Sequence, residues 1–258
     1  MRPPVAYLGR RRTQKNDLKP HLRQTWCIGT INAAFLARLE QILALYALPY
    51  DATLPVICFD ERPCFLIGDT LSPRPMRKGE IEKQHYEYDK LGACALLAAI
   101  EPLTGRRFGQ VHERRTKREF TLFCQALAAA YPEVPRIRLV LDNLNTHNAS
   151  SFYEHLSAED AYALAARFEF IYTPKSASWL NMIECEFSVI ARQCLDRRIA
   201  TIEQLRSEVL ALLNERDAKA IKIHWQFSIQ AARTKLNKHY TRVNTVNEQY
   251  KETYFPEY

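Results

Sequence analysis

Four short apolar runs limit what this chain can fold into. They are LPVICFD (54–60), LGACALLAAI (91–100), RIRLVLD (136–142) and FEFIYTP (168–174). Continuous apolar runs of this length, bounded by polar or turn-forming residues, read as strands buried on both faces. PLTG (102–105) is a turn, and RRFGQVHE after it is a hairpin partner for the second run. Residues 62–89, between the first two runs, are polar and rich in breakers and are expected to be irregular. Beyond the hairpin, strands alternate with helices. One helix spans 116–131 on Phe120, Phe123, Leu127 and Tyr131, and another spans 150–167 on Phe152, Leu156 and Leu164. A third, 181–193, follows an Asn, and a fourth, 201–216, is capped by Thr201 with Glu203 in its first turn. A hairpin cluster followed by alternation implies an α/β fold: a mixed sheet with helices on both faces. Sites in such sheets gather at the ends of strands.

Ahead of the sheet, residues 31–47 place Phe35, Leu36, Leu39, Ile42, Leu43 and Tyr46 at helical spacing. Charge is concentrated there too. The net charge is +7, and residues 1–50 hold eight Lys or Arg against Asp17 and Glu40, so the remainder is close to neutral. A basic arm on a near-neutral body suits a polyanion such as nucleic acid, and equally suits a solvated tail. Arg10, Arg11, Arg12, Lys15 and Lys19 are its candidate DNA contacts. The seven cysteines include no CxxC pair and several sit in apolar runs, so they read as reduced core residues. MRPPVAYLGRRR lacks the apolar centre of a secretory signal, and no run approaches the ~20 apolar residues of a membrane span. The expectation is a cytoplasmic protein with no membrane partner.

Three acids stand where this architecture can unite them. Asp60 ends the first run, Asp142 ends the third, and Glu184 lies in the first turn of the helix after Asn181. Asp is depleted in strands, and a buried carboxylate needs a partner. Two hard divalent ions roughly 4 Å apart would supply one and would support phosphodiester chemistry. With 29 acids in the chain, the pattern alone also fits turn and cap residues. Glu186 is the rival to Glu184. Taking Ile183, Phe187 and Ile190 as the buried stripe, Glu184 is expected beside it and Glu186 away from it. Glu61 is expected on the opposite face of the strand from Asp60, in a structural role.

The words around these acids are CFDE, LVLDNLNTH and TPKSASWLNMIECEF, in that order. They resemble the catalytic motifs of the DDE transposases, most closely the insertion-sequence 630 group, bacterial relatives of the mariner elements. The likeness runs from about Leu18 (LKPHLRQTW) to about Leu236 (WQFSIQAARTKL). It implies a ribonuclease H-like fold and Mg²⁺-dependent DNA cleavage and strand transfer, with two ions and Mn²⁺ as the alternative metal. Carried over, Asp60, Asp142 and Glu184 become the catalytic, metal-binding triad. The 41 residues between Asp142 and Glu184 exceed the spacing of the animal mariner branch, and the helical stretch 150–167 fills the extra length.

Around the triad, Asn143 and His147 belong to the DNLNTH motif. His147 is read either as a phosphate or water contact or as a turn histidine. Lys175 is expected near the third acid, holding DNA backbone. Asn181 is expected to cap the helix of Glu184, and Trp179 to be a buried anchor of the loop rather than a base-stacking residue. The run Arg114, Arg115, Lys117, Arg118 is either a phosphate contact or a solvated face. The expected organisation is a basic arm and linker helix (1–50), a catalytic domain (51–220) and a basic, aromatic tail (221–258). The resemblance further implies DNA partners (element ends and a TA target) and a homodimer on DNA. The family commonly carries two N-terminal helix-turn-helix units. None is readable before residue 60, so a separate DNA-reading polypeptide is expected unless those units are lost. The rival functions are a nuclease or resolvase with the same triad, and a non-catalytic DNA-binding remnant.

Overall fold

A computed structural model describes residues 30–250. Five strands form one mixed sheet in the order β3-β2-β1-β4-β5. β1 (Val56–Asp69), β2 (Tyr88–Glu101) and β3 (Arg106–His112) are an antiparallel meander, while β4 (Ile137–Leu141) runs parallel to β1, and β5 (Phe168–Tyr172) parallel to β4. The turn at 102–105 joins β2 to β3, with Gly105 at φ +85. A side chain there would strike the backbone of Ala220 and Ile221.

Helices cover both faces, as the alternation of elements requires. On one side α2 (Lys117–Ala129), α3 (Ser150–Tyr153) and α4 (Ala158–Ala166) pack Phe120, Phe123, Phe152 and Leu164 against Ile57, Phe59, Leu97 and Leu139. On the other, α5 (Ile183–Gln193) and α6 (Ile202–Ala218) pack Ile183, Phe187, Ile190 and Val209 against Cys58, Leu96, Ala98 and Val140. The chain before the sheet folds back onto the chain after it. α1 (Ala33–Tyr46), capped by Asn32, shares a cluster of Phe35, Leu36, Leu39, Ala232 and Tyr240 with α7 (Ile229–Lys235) and α8 (Asn237–Val243). Glu40 of α1 accepts from both Arg233 and Tyr240. Among the described residues, no helix is long and apolar enough to cross a membrane.

Two elements differ from the expectation. β1 does not end at Asp60; its pairing with β4 stops at Cys58, but it runs on to Asp69 paired with β2, as a two-stranded ribbon once the pairing of β2 with β3 ends at Ala95, opposite Pro63. Pro63 is tolerated because beyond Cys58 β1 has a neighbour on one side only. A register shift at Leu66/Ile67, beside Gly92 at φ +135, admits the other breakers. The helical stretch 150–167 is two helices. Ser157 interrupts it and caps α4 by accepting from the Asp160 backbone N–H.

Candidate active site

Alternation along β1 decides which side chains meet. Cys58 and Cys64 face α5 and α6, so Asp60 and Arg62 project to that face, while Phe59 and Glu61 project toward α2. β4 lies beside β1 with Val56, Ile57 and Cys58 opposite Arg138, Leu139 and Val140. Continuing that register by two residues sets Asp142, just past the end of β4, next to Asp60 on the same face. α5 crosses this face and carries Glu184 at its second position.

The electrostatics agree. Asp60 is 9% exposed and its pKa rises to about 7. Burial is the largest cause; the charges of Asp142 and Glu184 add to it, against a bond from the Glu61 backbone N–H (2.7 Å) and the charge of His147. Glu184 is also raised by burial, and the positive charge it senses is that of Arg62. Asp60 therefore senses both other acids across the sheet face, with Arg62 near Glu184 and His147 against Asp142 as the neighbouring positive groups. The donors of the three acids are all carboxylate oxygens, which fits a hard divalent cation. They do not form a finished cage: among the described residues, no three His, Cys, Asp or Glu side chains surround a single point closely enough to hold an ion.

Behind Asp142 lies His147, fully buried between the rings of Phe59 and Phe120. Its Nδ1 is 2.5 Å from Asp142 Oδ1. Its Nε2 is 3.6 Å from Glu61 Oε2, an ion-pair distance just beyond hydrogen-bond reach. Burial disfavours the charged ring, but the bond to Asp142 and the Glu61 carboxylate outweigh it and raise the pKa to about 9. His147 has the local backbone bond of a turn residue, its N–H donating to the Leu144 carbonyl, but its ring is turned inward, away from solvent. Its buried ring touches a carboxylate on each side.

Asn181 is not the helix cap. Met182 holds that position without a side-chain bond. Asn181, 1% exposed, donates from Nδ2 to the Phe59 carbonyl at 2.8 Å and accepts weakly from the Ile183 N–H. It links the start of α5 to β1. Glu186 does not turn to solvent. It is 1% exposed and accepts from Arg107 at 3.0 Å and from Arg216 at 2.5 Å. Lying three residues after Ile183, it belongs beside the apolar stripe, and the two guanidinium groups make its burial tolerable. Trp179 is 46% exposed, its ring edge-on to Phe227; the loop is anchored instead by Leu180, whose carbonyl accepts from the Tyr46 hydroxyl.

Lys175 is exposed and lines a groove with Asn32, Arg38 and Ser176. The cation at Glu184 is instead Arg62, which sequence reasoning missed. Spacing of two from Asp60 on a strand is the signal for it, and that signal is visible only when β1 continues past residue 60. Asn143 is exposed beside Asp142. Of the basic run at 114–118, Arg115 approaches Glu61 at 3.5 Å, Lys117 pairs with Glu154, and Arg114 and Arg118 are exposed. Arg10, Arg11, Arg12, Lys15 and Lys19 lie outside the described residues.

None of the curated proteins matches this sequence significantly. Among solved structures, the chain is similar to the Mos1 mariner paired end complex with Mn (TM-score 0.51, 12% identity, covering 90% of this chain and 70% of that one). It is also similar to the Mos1 Strand Transfer Complex (TM-score 0.52, 12% identity, 90% and 67%). At that identity the likeness concerns the fold, which is ribonuclease H-like. A family model described as DDE superfamily endonuclease matches residues 55–206, more than half of the chain and all three acids. The chain belongs to the DDE superfamily endonucleases.

Proposed function

We propose that this chain is the catalytic part of a transposase of the insertion-sequence 630 group, cutting and rejoining DNA with Mg²⁺ or Mn²⁺. The observation that carries the reading is the buried carboxylate of Asp60, which senses the charges of both Asp142 and Glu184, all three acids falling within the family's matched region. The likeness in fold to Mos1 complexes, one of them with Mn, supports it.

In this reading residues 51–220 are the catalytic unit, and Asp60, Asp142 and Glu184 hold two divalent ions. Such ions, when bound, neutralise charge on the attacking and leaving oxygens and lower the pKa of water. The chain's own residues do the positioning. His147 holds Asp142, Asn181 holds the start of α5 against β1, and Lys175 and Asn143 lie where a DNA backbone can be met. Arg10, Arg11, Arg12, Lys15 and Lys19 add sequence-independent phosphate contacts. Hydrolysis at the element end breaks a P–O bond and leaves a 3′-hydroxyl. That oxygen then bonds to a target phosphorus, in line, at a TA step, displacing the target's own 3′-oxygen while its proton passes to solvent. A homodimer would hold the two ends, in the bacterial cytoplasm.

The test is a strand-transfer assay with duplexes carrying the element ends, a TA-containing target and Mg²⁺, with and without a DNA-reading partner. Joined products are expected. Cleavage without joining would favour the nuclease or resolvase, and binding without cleavage would favour the DNA-binding remnant.

A further inference from the structure

We infer that Glu61 is a positioning residue for Asp142, acting through His147. Asp60 and Glu61 are neighbours on β1 whose side chains leave on opposite faces. Asp60 enters the acidic cluster. Glu61 passes under the sheet to the far side of His147, where its Oε2 is 3.6 Å from Nε2. The opposite nitrogen, Nδ1, binds Asp142 Oδ1. One strand thus supplies one acid of the site directly and braces a second from beneath.

The imidazole has little freedom to do anything else. Its ring is fully buried, edge-on to Phe59 at 5.3 Å and tilted against Phe120 at 5.1 Å. Its backbone carbonyl accepts from the Tyr172 hydroxyl of β5 at 2.9 Å, and its backbone N–H donates to Leu144. These contacts hold the ring and the loop in place between Glu61 and Asp142. Nε2 has no hydrogen bond among the described residues, and the Glu61 carboxylate is the charged group that faces it. Glu61 itself is only 6% exposed at its side chain and is approached from outside by Arg115. The bond to Oδ1 orients the Asp142 carboxylate. Groups that bond behind a ligating carboxylate set its orientation, and losing them costs about 10–100-fold in metal affinity or activity.

The inference rests on the reading of Asp142 as a metal ligand, and the experiment separates the two. Mn²⁺ binding to the whole protein is measured by electron paramagnetic resonance of the free ion, without DNA. Glu61→Ala is expected to weaken Mn²⁺ binding by about tenfold. Glu61→Gln, which keeps an oxygen facing Nε2, is expected to recover most of that loss. In a His147→Asn background, Glu61→Ala should cause no further loss, because the path to Asp142 is already changed. Circular dichroism checks that each variant is folded. Unchanged Mn²⁺ affinity in folded Glu61→Ala, or losses that simply add in the double variant, would overturn the inference. So would a parent protein that binds no Mn²⁺. A parent that binds Mn²⁺ but cuts no DNA would sink the transposase reading and leave the role of Glu61 intact.

Discussion

Asn181 reaches from the start of α5 to the carbonyl of Phe59, and this 2.8 Å bond spans the two elements that carry Glu184 and Asp60. Asn181 stands three residues before Glu184, and Phe59 one residue before Asp60. Both partners are buried, so the bond is not exchanged for water. Asn181→Ala leaves a buried carbonyl without this donor and should cost about 1–3 kcal/mol in urea denaturation. Cleavage should fall further than stability explains, by more than about tenfold when measured well below the melting temperature, because small misplacements of catalytic groups are costly. A variant that loses stability but keeps the parent's rate would show that α5 finds its place without this link.

Glu186 offers the opposite kind of residue, one close to the site in sequence but devoted to the fold. Its carboxylate lies between Arg107, whose side chain is fully buried, and Arg216. These contacts keep its pKa below the usual carboxylate range, although burial alone would raise it. Glu186→Gln leaves two guanidinium groups without a counter-charge. Removing one partner of a buried ion pair costs about 3–5 kcal/mol, and Gln, which retains one acceptor, should fall near the lower end. Mn²⁺ affinity of the folded variant should match the parent. A lost metal site with unchanged stability would make Glu186 the third ligand and Glu184 the structural acid.

Asp60 makes metal-free stability depend on pH. It ionises at about 7 in the fold against 3.8 for an ordinary Asp. Between those values the folded state binds more protons than the unfolded chain, so stability falls as pH rises through that window. Asp60→Asn removes the penalty. In EDTA at pH 8 it should be more stable than the parent by an amount on the order of 2 kcal/mol, and the difference should shrink toward pH 4. Adding Mg²⁺ should stabilise the parent and not the variant. Equal melting curves in EDTA at both pH values would contradict the acidic cluster.

The basic arm should contribute affinity without sequence preference. Deleting residues 1–24 removes Arg10, Arg11, Arg12, Lys15 and Lys19 among its charges. Each lost phosphate contact lowers the slope of log K against log salt by close to one unit. Fluorescence anisotropy with a random duplex should therefore show weaker and flatter salt dependence. An unchanged slope would remove the arm from the DNA interface.

Much of this architecture is legible in the sequence because apolar runs and helical spacing report burial directly. The sheet, the hairpin at 102–105 and the helix of Phe120 and Phe123 all follow from that. What the chain hides are relations made by tertiary contact. β1 looks finished at Asp60 because Pro63 and Gly68 are breakers in isolation; a paired partner on one side and a register shift absorb them. Glu186 looks solvent-facing because its two arginines lie about 80 and 30 residues away in sequence. His147 stands out within its motif, but its tie to Glu61 exists only once β1 and the loop after β4 are brought together. Size alone would put Trp179 inside, whereas Leu180 fills that place.

Asp60, Asp142 and Glu184 are proposed to cut DNA together with a divalent ion. The most direct measurement is Mg²⁺-dependent nicking of a supercoiled plasmid carrying the element ends, by the parent and by Asp60→Asn, Asp142→Asn and Glu184→Gln, each first shown to be folded and to bind DNA. The expected result is cleavage by the parent, its loss in EDTA, and a loss of at least about a hundredfold in each variant, since an ion held by three carboxylates does not readily give one up. Any one of the three variants cutting at the parent's rate would contradict the proposal.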